Sequence, residues 1–216
     1  FRHSGEKRQV TARSDLWLEK QWYRQSMWQL VLLPLSALFW LLSALRRAAF
    51  RYGWRASERL PVPVAVVGNI TVGGSGKTPL VPWLAQFLRQ QGYRPGIVSR
   101  GYGASAEAAR PVDPADDPAA SGDEPVLLAR RSASPVWVGR DRAAAGRALL
   151  AANPDCDVIL CDDGLQHYRL QRDLEIAVVD GRRRFGNGRL LPAGPLREGL
   201  WRLRQVDAVV VNGGAL

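Results

Sequence analysis

The sequence predicts an α/β fold: a mostly parallel sheet with helices on both faces, preceded by one apolar helix. Three observations predict it. Short apolar runs alternate with helix-length segments across residues 60–212, the rhythm of a parallel sheet built from strand–helix units. One of those runs, at 62–67, leads straight into a glycine-rich stretch ending in Lys77-Thr78, and a helix-length segment follows at 79–91. Ahead of both lies an almost uncharged apolar stretch, residues 28–45. Strands buried on both faces read as continuous Val, Ile and Leu runs, and the run at 62–67 does so.

The 216 residues divide into three parts. Residues 1–14 are polar and charged without periodicity, and read as a disordered tail or an expression remnant. Residues 15–59 carry Trp17, Trp22 and Tyr23 among charges, then the apolar stretch, broken only by Gln29, Pro34, Ser36 and Ser43. Arg24 precedes it, and Arg46, Arg47, Arg51 and Arg55 follow. A core helix would sit oddly far ahead of the domain. A secretory signal would lack a convincing cleavage site. A membrane-associated helix fits: eighteen residues reach roughly 27 Å, just short of the hydrocarbon thickness. Aromatic residues flank it, and a basic cluster faces anionic headgroups. Spanning and lying in the interface both stay open, Pro34 favouring a shallow seat. Residues 60–216 are the catalytic-type domain.

That domain opens on Gly68-Asn69-Ile70-Thr71-Val72-Gly73-Gly74-Ser75-Gly76-Lys77-Thr78. Strand, glycine loop, Lys-Thr and helix together make a P-loop, so the fold is P-loop NTPase-like. Glycines let backbone N–H groups approach phosphate oxygens, and the new helix points its positive end at the same anion. Thr71 to Thr78 are the expected nucleotide contacts, with Lys77 on the outer phosphates and Thr78 on Mg²⁺. Thr71 stands where the strict pattern has glycine. Pro79 lies in the first turn and costs little, whereas Pro82 predicts a local distortion.

Residues 96–99 read as a second strand running into Arg100-Gly101-Tyr102-Gly103, a cation at the sheet edge where ligands bind. Residues 104–120, rich in Ala, Pro and Asp, read as a surface loop. Ser121-Gly122-Asp123-Glu124-Pro125 opens a helix. A strand at 136–138 and a helix at 140–152 follow. The run 158–161 ends in Asp162-Asp163, the acidic strand tip that partners a P-loop. His167 reads as structural. Strands at 174–179 and 206–211 complete the sheet, with a basic loop at 182–188 and a rigid turn at 192–198 between them.

The formal net charge of +10 favours an anionic partner: nucleic acid, acidic lipid or a phosphorylated substrate. No nucleic-acid module is recognisable, and the arginines beside the apolar helix make lipid the simpler anion. Two cysteines, Cys156 and Cys161, are too few for a disulfide framework or a zinc site and read as core residues.

The ordered set Gly68 to Pro79, Ser99-Arg100-Gly101-Tyr102-Gly103, Gly122-Asp123-Glu124-Pro125, Asp162-Asp163-Gly164-Leu165-Gln166-His167, Arg184-Phe185-Gly186-Asn187-Gly188 and Pro192-Ala193-Gly194-Pro195-Leu196-Arg197-Glu198 closely resembles the tetraacyldisaccharide 4′-kinase (lipid A 4′-kinase) family. The resemblance runs from about residue 15 to the end. It implies transfer of the ATP γ-phosphate, with Mg²⁺, to the 4′-hydroxyl of a tetraacyl glucosamine disaccharide 1-phosphate, the lipid A disaccharide precursor. It also implies a place at the cytoplasmic face of the inner membrane, in contact with its lipids; a monomer is expected, although the sequence does not fix the oligomeric state. Carried over by position, Asp123 assists the attacking hydroxyl, Lys77 contacts the phosphates, and Thr78, Glu124 and Asp162 are metal-sphere groups. Asp163 and Glu198 are active-site supports. The family has a C-terminal lobe with a histidine that works with the catalytic Asp, so the chain is expected to be an N-terminal core; His167 does not fill that role. The competing readings are a membrane-associated P-loop ATPase or GTPase switch, and a nucleic-acid-binding protein.

Overall fold

A computed structural model describes residues 22–23, 27–74, 76–101 and 108–214. The expectations for the tail at 1–14, for Ser75, and for Tyr102 and Gly103 lie outside the described residues. In chain order the elements are α1 (Trp28–Arg51), β1 (Val64–Gly68), α2 (Lys77–Gln90), β2 (Pro95–Ser99), β3 (Arg110–Val112), α3 (Pro118–Ser121), α4 (Asp123–Ser132), β4 (Val136–Val138), α5 (Arg142–Ala152), β5 (Val158–Asp162), β6 (Leu174–Asp180), a 3₁₀ turn (Leu200–Arg204) and β7 (Ala208–Asn212).

Seven strands form one sheet in the order β3-β4-β2-β5-β1-β6-β7. Every pairing is parallel except β3 with β4. The strand β3 and the short helix α3 correct the expected loop over 104–120. An edge strand of three residues tolerates Pro111 because one side of it needs no ladder bond.

The alternation along β1 divides the core. Val64 and Val66 face a cluster with Ala143, Ala145 and Leu149 of α5, while Ala65 and Val67 face Val81 and Ala85 of α2 and Val126, Leu128 and Ala129 of α4. Helices thus cover both faces. The buried thiols Cys156 and Cys161 are free and belong to the first cluster, as expected. The helix α2 runs through Pro82 without a break.

The helix α1 stands apart from this core. It is 24 residues long, and Trp28, Val31, Leu38 and Leu42 are all more than half exposed. Its length and composition suffice to cross a membrane, and it continues through Pro34. Polar contacts tie it to the loop after β6. Ser36 Oγ donates to the Leu190 carbonyl at 3.0 Å and accepts from Ala193 N–H at 3.0 Å. Near its end, Arg47 lies over the Trp201 ring, 3.9 Å from the centroid, and 3.7 Å from Glu198.

Candidate active site

The site gathers at the carboxyl edge of the central strands, where β1 gives way to the glycine loop. Gly76 adopts φ +76° as the residue before α2. A Cβ there would fall 1.7 Å from Asn212 Nδ2 at the tip of β7, so only glycine fits. Asn69, fully buried, holds the loop from inside: its Nδ2 donates to the Gly73 carbonyl at 3.2 Å and to Thr71 Oγ1 at 3.4 Å. From outside, the turn at 192–198 is strapped on. Val72 N–H donates to the Pro195 carbonyl at 2.8 Å, and Arg197 N–H to the Ile70 carbonyl at 2.7 Å. Thr78 sits half-buried in the first turn of α2.

Lys77 Nζ reaches Asp163 Oδ1 at 2.6 Å and Asn69 Oδ1 at 3.1 Å. Asp163, at φ +50°, also accepts from Arg197 Nη1 at 3.3 Å. Burial pushes its carboxyl upward, but Lys77 and Arg197 outweigh that and hold it below the ordinary value. Its neighbour Asp162 behaves oppositely. Burial pushes it up to about 6, with the charges of Glu124 and Asp163 adding and Lys77 opposing. One described donor meets it, Ser99 Oγ at 3.3 Å. A buried, proton-hungry carboxylate is the group that a cation would stabilise.

Asp123 and Glu124 open α4 and are exposed. Among the described residues no three His, Cys, Asp or Glu groups could hold a metal by themselves. Mg²⁺ keeps waters and takes one or two carboxylates beside phosphate oxygens. The buried carboxyl of Asp162 is of that kind, and Thr78 and Glu124 are the other two residues expected to approach such an ion.

Beside Asp163 opens a cleft of about 550 Å³. Phe39, Ser43 and Arg46 of α1 form one wall; Arg100, Arg140, Arg142 and Arg197 form a basic wall opposite, with Gln166, His167, Tyr168 and Glu198. Glu198, 6 % exposed, accepts from Gln166 Nε2 at 3.0 Å and from the Tyr168 hydroxyl, and lies 3.7 Å from Arg202. Burial, helped by Glu198, pushes the Tyr168 hydroxyl up to about 12, so it stays a donor. His167 is pushed down to about 4 by burial and by Arg142, and its Nε2 accepts from Arg142 N–H at 3.3 Å. A neutral imidazole held this way supports the α5 start, in line with its structural reading.

The tetraacyldisaccharide-1-P 4′-kinase family model matches residues 28–216. The chain belongs to this family. It is 59% identical over 198 residues to a tetraacyldisaccharide 4′-kinase of Shewanella amazonensis, covering 92% of this chain and 56% of that protein. It is 61% identical over 197 residues to one of Chromobacterium violaceum, covering 91% and 58%. A crystal structure described as the "apo" form of LpxK from Aquifex aeolicus in complex with ATP superposes with a TM-score of 0.78 at 37% identity, over 86% of this chain and 59% of that one. The chain therefore spans little more than half the length of these relatives.

With the family fixed, the departure at Thr71 is no anomaly, because Asn69 and the strap at 195–197 shape the loop. The structure brings Lys77, Asp162 and Asp163 together and places Glu124 and Asp123 at the neighbouring helix start. Glu198 lies on the cleft wall rather than at the phosphate loop. Sequence reasoning missed Asn69, Gln166 and Tyr168. Asn69 and Gln166 stood inside quoted motifs and Tyr168 directly after one, so the signal was present without a role attached.

Proposed function

We propose that the chain is the nucleotide-binding core of a lipid kinase. It passes the γ-phosphate of ATP to the 4′-hydroxyl of a tetraacyl glucosamine disaccharide 1-phosphate at the cytoplasmic face of the inner membrane. One observation carries this reading: the P-loop lysine, through Asp163, shares a wall with a basic cleft whose other wall is an exposed apolar helix. Such a cleft suits an acceptor that is a sugar phosphate at one end and acyl chains at the other.

The loop cradles the triphosphate, with Thr71 to Thr78 as contacts and Lys77 moving from Asp163 to the outer phosphates. Thr78, Asp162 and Glu124 would hold Mg²⁺, which when bound neutralises charge on the phosphate oxygens. Asp123 orients the hydroxyl in line and takes its proton as the new O–P bond forms and the bond to the ADP oxygen breaks. Asp163 and Arg197 hold Lys77 and the strap in register. Glu198 fixes Tyr168 and Gln166 on the cleft wall and anchors Arg47 of α1. The arginines receive the acceptor phosphate. The exposed face of α1 lies among inner-membrane lipids, and one copy supplies every group named, in keeping with a monomer.

The test is transfer of labelled γ-phosphate from Mg·ATP to the disaccharide in detergent micelles. Labelled lipid supports the reading; free phosphate released without regard to lipid sinks it in favour of a switch ATPase.

A further inference from the structure

A second basic cleft, of about 750 Å³, lies at the opposite end of α1. It is walled by Trp22, by Leu30 in the first turn of α1, and by Arg182, Arg184 and Arg189 of the loop after β6. The acceptor cleft meets α1 at Phe39 to Arg46, roughly 14–24 Å farther along the helix. The two are separate places.

This cleft is built, not merely charged. Trp22, 8 % exposed, donates from Nε1 to the Pro192 carbonyl at 3.0 Å, and its own carbonyl accepts from Asn187 N–H at 2.9 Å. Gly186 sits so tightly there that a Cβ would lie 2.9 Å from the Trp22 carbonyl oxygen. Arg189, half-buried, lines the cleft beside the exposed Arg182 and Arg184, so three guanidinium groups converge where an anion can be held. The nearby acid, Asp180, is already engaged by Arg182 N–H, Arg183 N–H and Arg183 Nε. Above the cleft, Met27, Trp28, Leu30 and Val31 are each more than half exposed.

We propose that this cleft seats the phosphate headgroup of an anionic membrane phospholipid, held by Arg182, Arg184 and Arg189, with its acyl chains along the first turns of α1. The inference rests on the membrane seat of α1 proposed above. Charge complementarity and the continuity of basic cleft with apolar helix select a lipid over a free anion. Arg183 also lines the cleft, but it donates to the Gly74 carbonyl in the glycine loop and is left untouched in the test.

The test is co-sedimentation with vesicles of phosphatidylcholine alone and with about 30 mol % phosphatidylglycerol, where basic side chains near the surface add to binding. The variant is R182Q/R184Q/R189Q; the charge-matched control is R94Q/R130Q/R131Q. The anionic preference should fall about tenfold or more in the variant and stay within about twofold in the control. Binding to neutral vesicles should be the same in all three. Equal loss in variant and control means diffuse charge and overturns the site. Equal wild-type binding to both vesicles overturns the site while leaving the membrane seat standing; binding to neither overturns both. Inorganic phosphate separates the sources. If it shifts tryptophan emission of the wild type alone and no anionic-vesicle preference exists, a free anion is the ligand and the lipid assignment fails. Should the triple variant not fold, Arg182→Gln, at an exposed position, carries the same comparison.

Discussion

At the scale of single residues, the pair Asp162-Asp163 shows how position decides charge. The two are adjacent, yet Asp163 is held ionised by Lys77 and Arg197 while burial drives Asp162 up to about 6. For Asp162 the folded value lies above the unfolded one, so the folded state binds the extra proton. Its contribution is fully present below about pH 4 and is lost as pH rises through about 6. Asp162→Asn should therefore melt above the wild type at pH 7.5, by on the order of 2–3 kcal/mol, and the gap should close by about pH 4. Thermal melts across pH check this; a gap that does not depend on pH contradicts it. Lys77→Ala removes a charged donor from the loop and should weaken ATP binding about tenfold or more, read by calorimetry. Asp123→Ala should abolish transfer in a C-terminally extended form and leave ATP affinity within about threefold, since an exposed residue of α4 is asked to touch the acceptor. Lys77 and the two aspartates were legible because strand tip and glycine loop are local patterns. Asn69, Gln166 and Tyr168 were not, because their roles exist only once loops from distant parts of the chain meet.

Among the elements, the strands that carry the site were legible to within two residues, because parallel strands announce themselves as continuous apolar runs. The strand at 110–112 was not. Three residues containing a proline carry no periodicity, and an edge position is set by its neighbour β4 rather than by its own sequence. The turn at 192–198 was legible as rigid, but its bonds to Ile70 and Val72 were not. The glycine loop makes a prediction of its own. Gly76→Ala adds a Cβ at a left-handed backbone position and against Asn212. It should cost about 1–3 kcal/mol of stability and most nucleotide binding, whereas Gly92→Ala, also at positive φ but in open space, should leave nucleotide binding unchanged. Equal effects on binding would contradict the fit described for Asn212.

Over the whole molecule, a basic cleft lies between an exposed apolar helix and the Asp163 that holds the P-loop lysine, and the net charge of +10 matches an anionic surface. The apolar stretch was legible from composition. Its exposed outer face was not, since a buried helix has the same composition; exposure alone distinguishes them. The measurement that bears most directly on the central claim is transfer of labelled γ-phosphate from Mg·ATP to tetraacyl disaccharide 1-phosphate in micelles. It is run on this chain beside a C-terminally extended form and its Asp123→Ala variant. Labelled lipid from the extended form, lost in the variant, is the result predicted. Phosphate released at the same rate with and without lipid, and no labelled lipid from any form, would contradict the account.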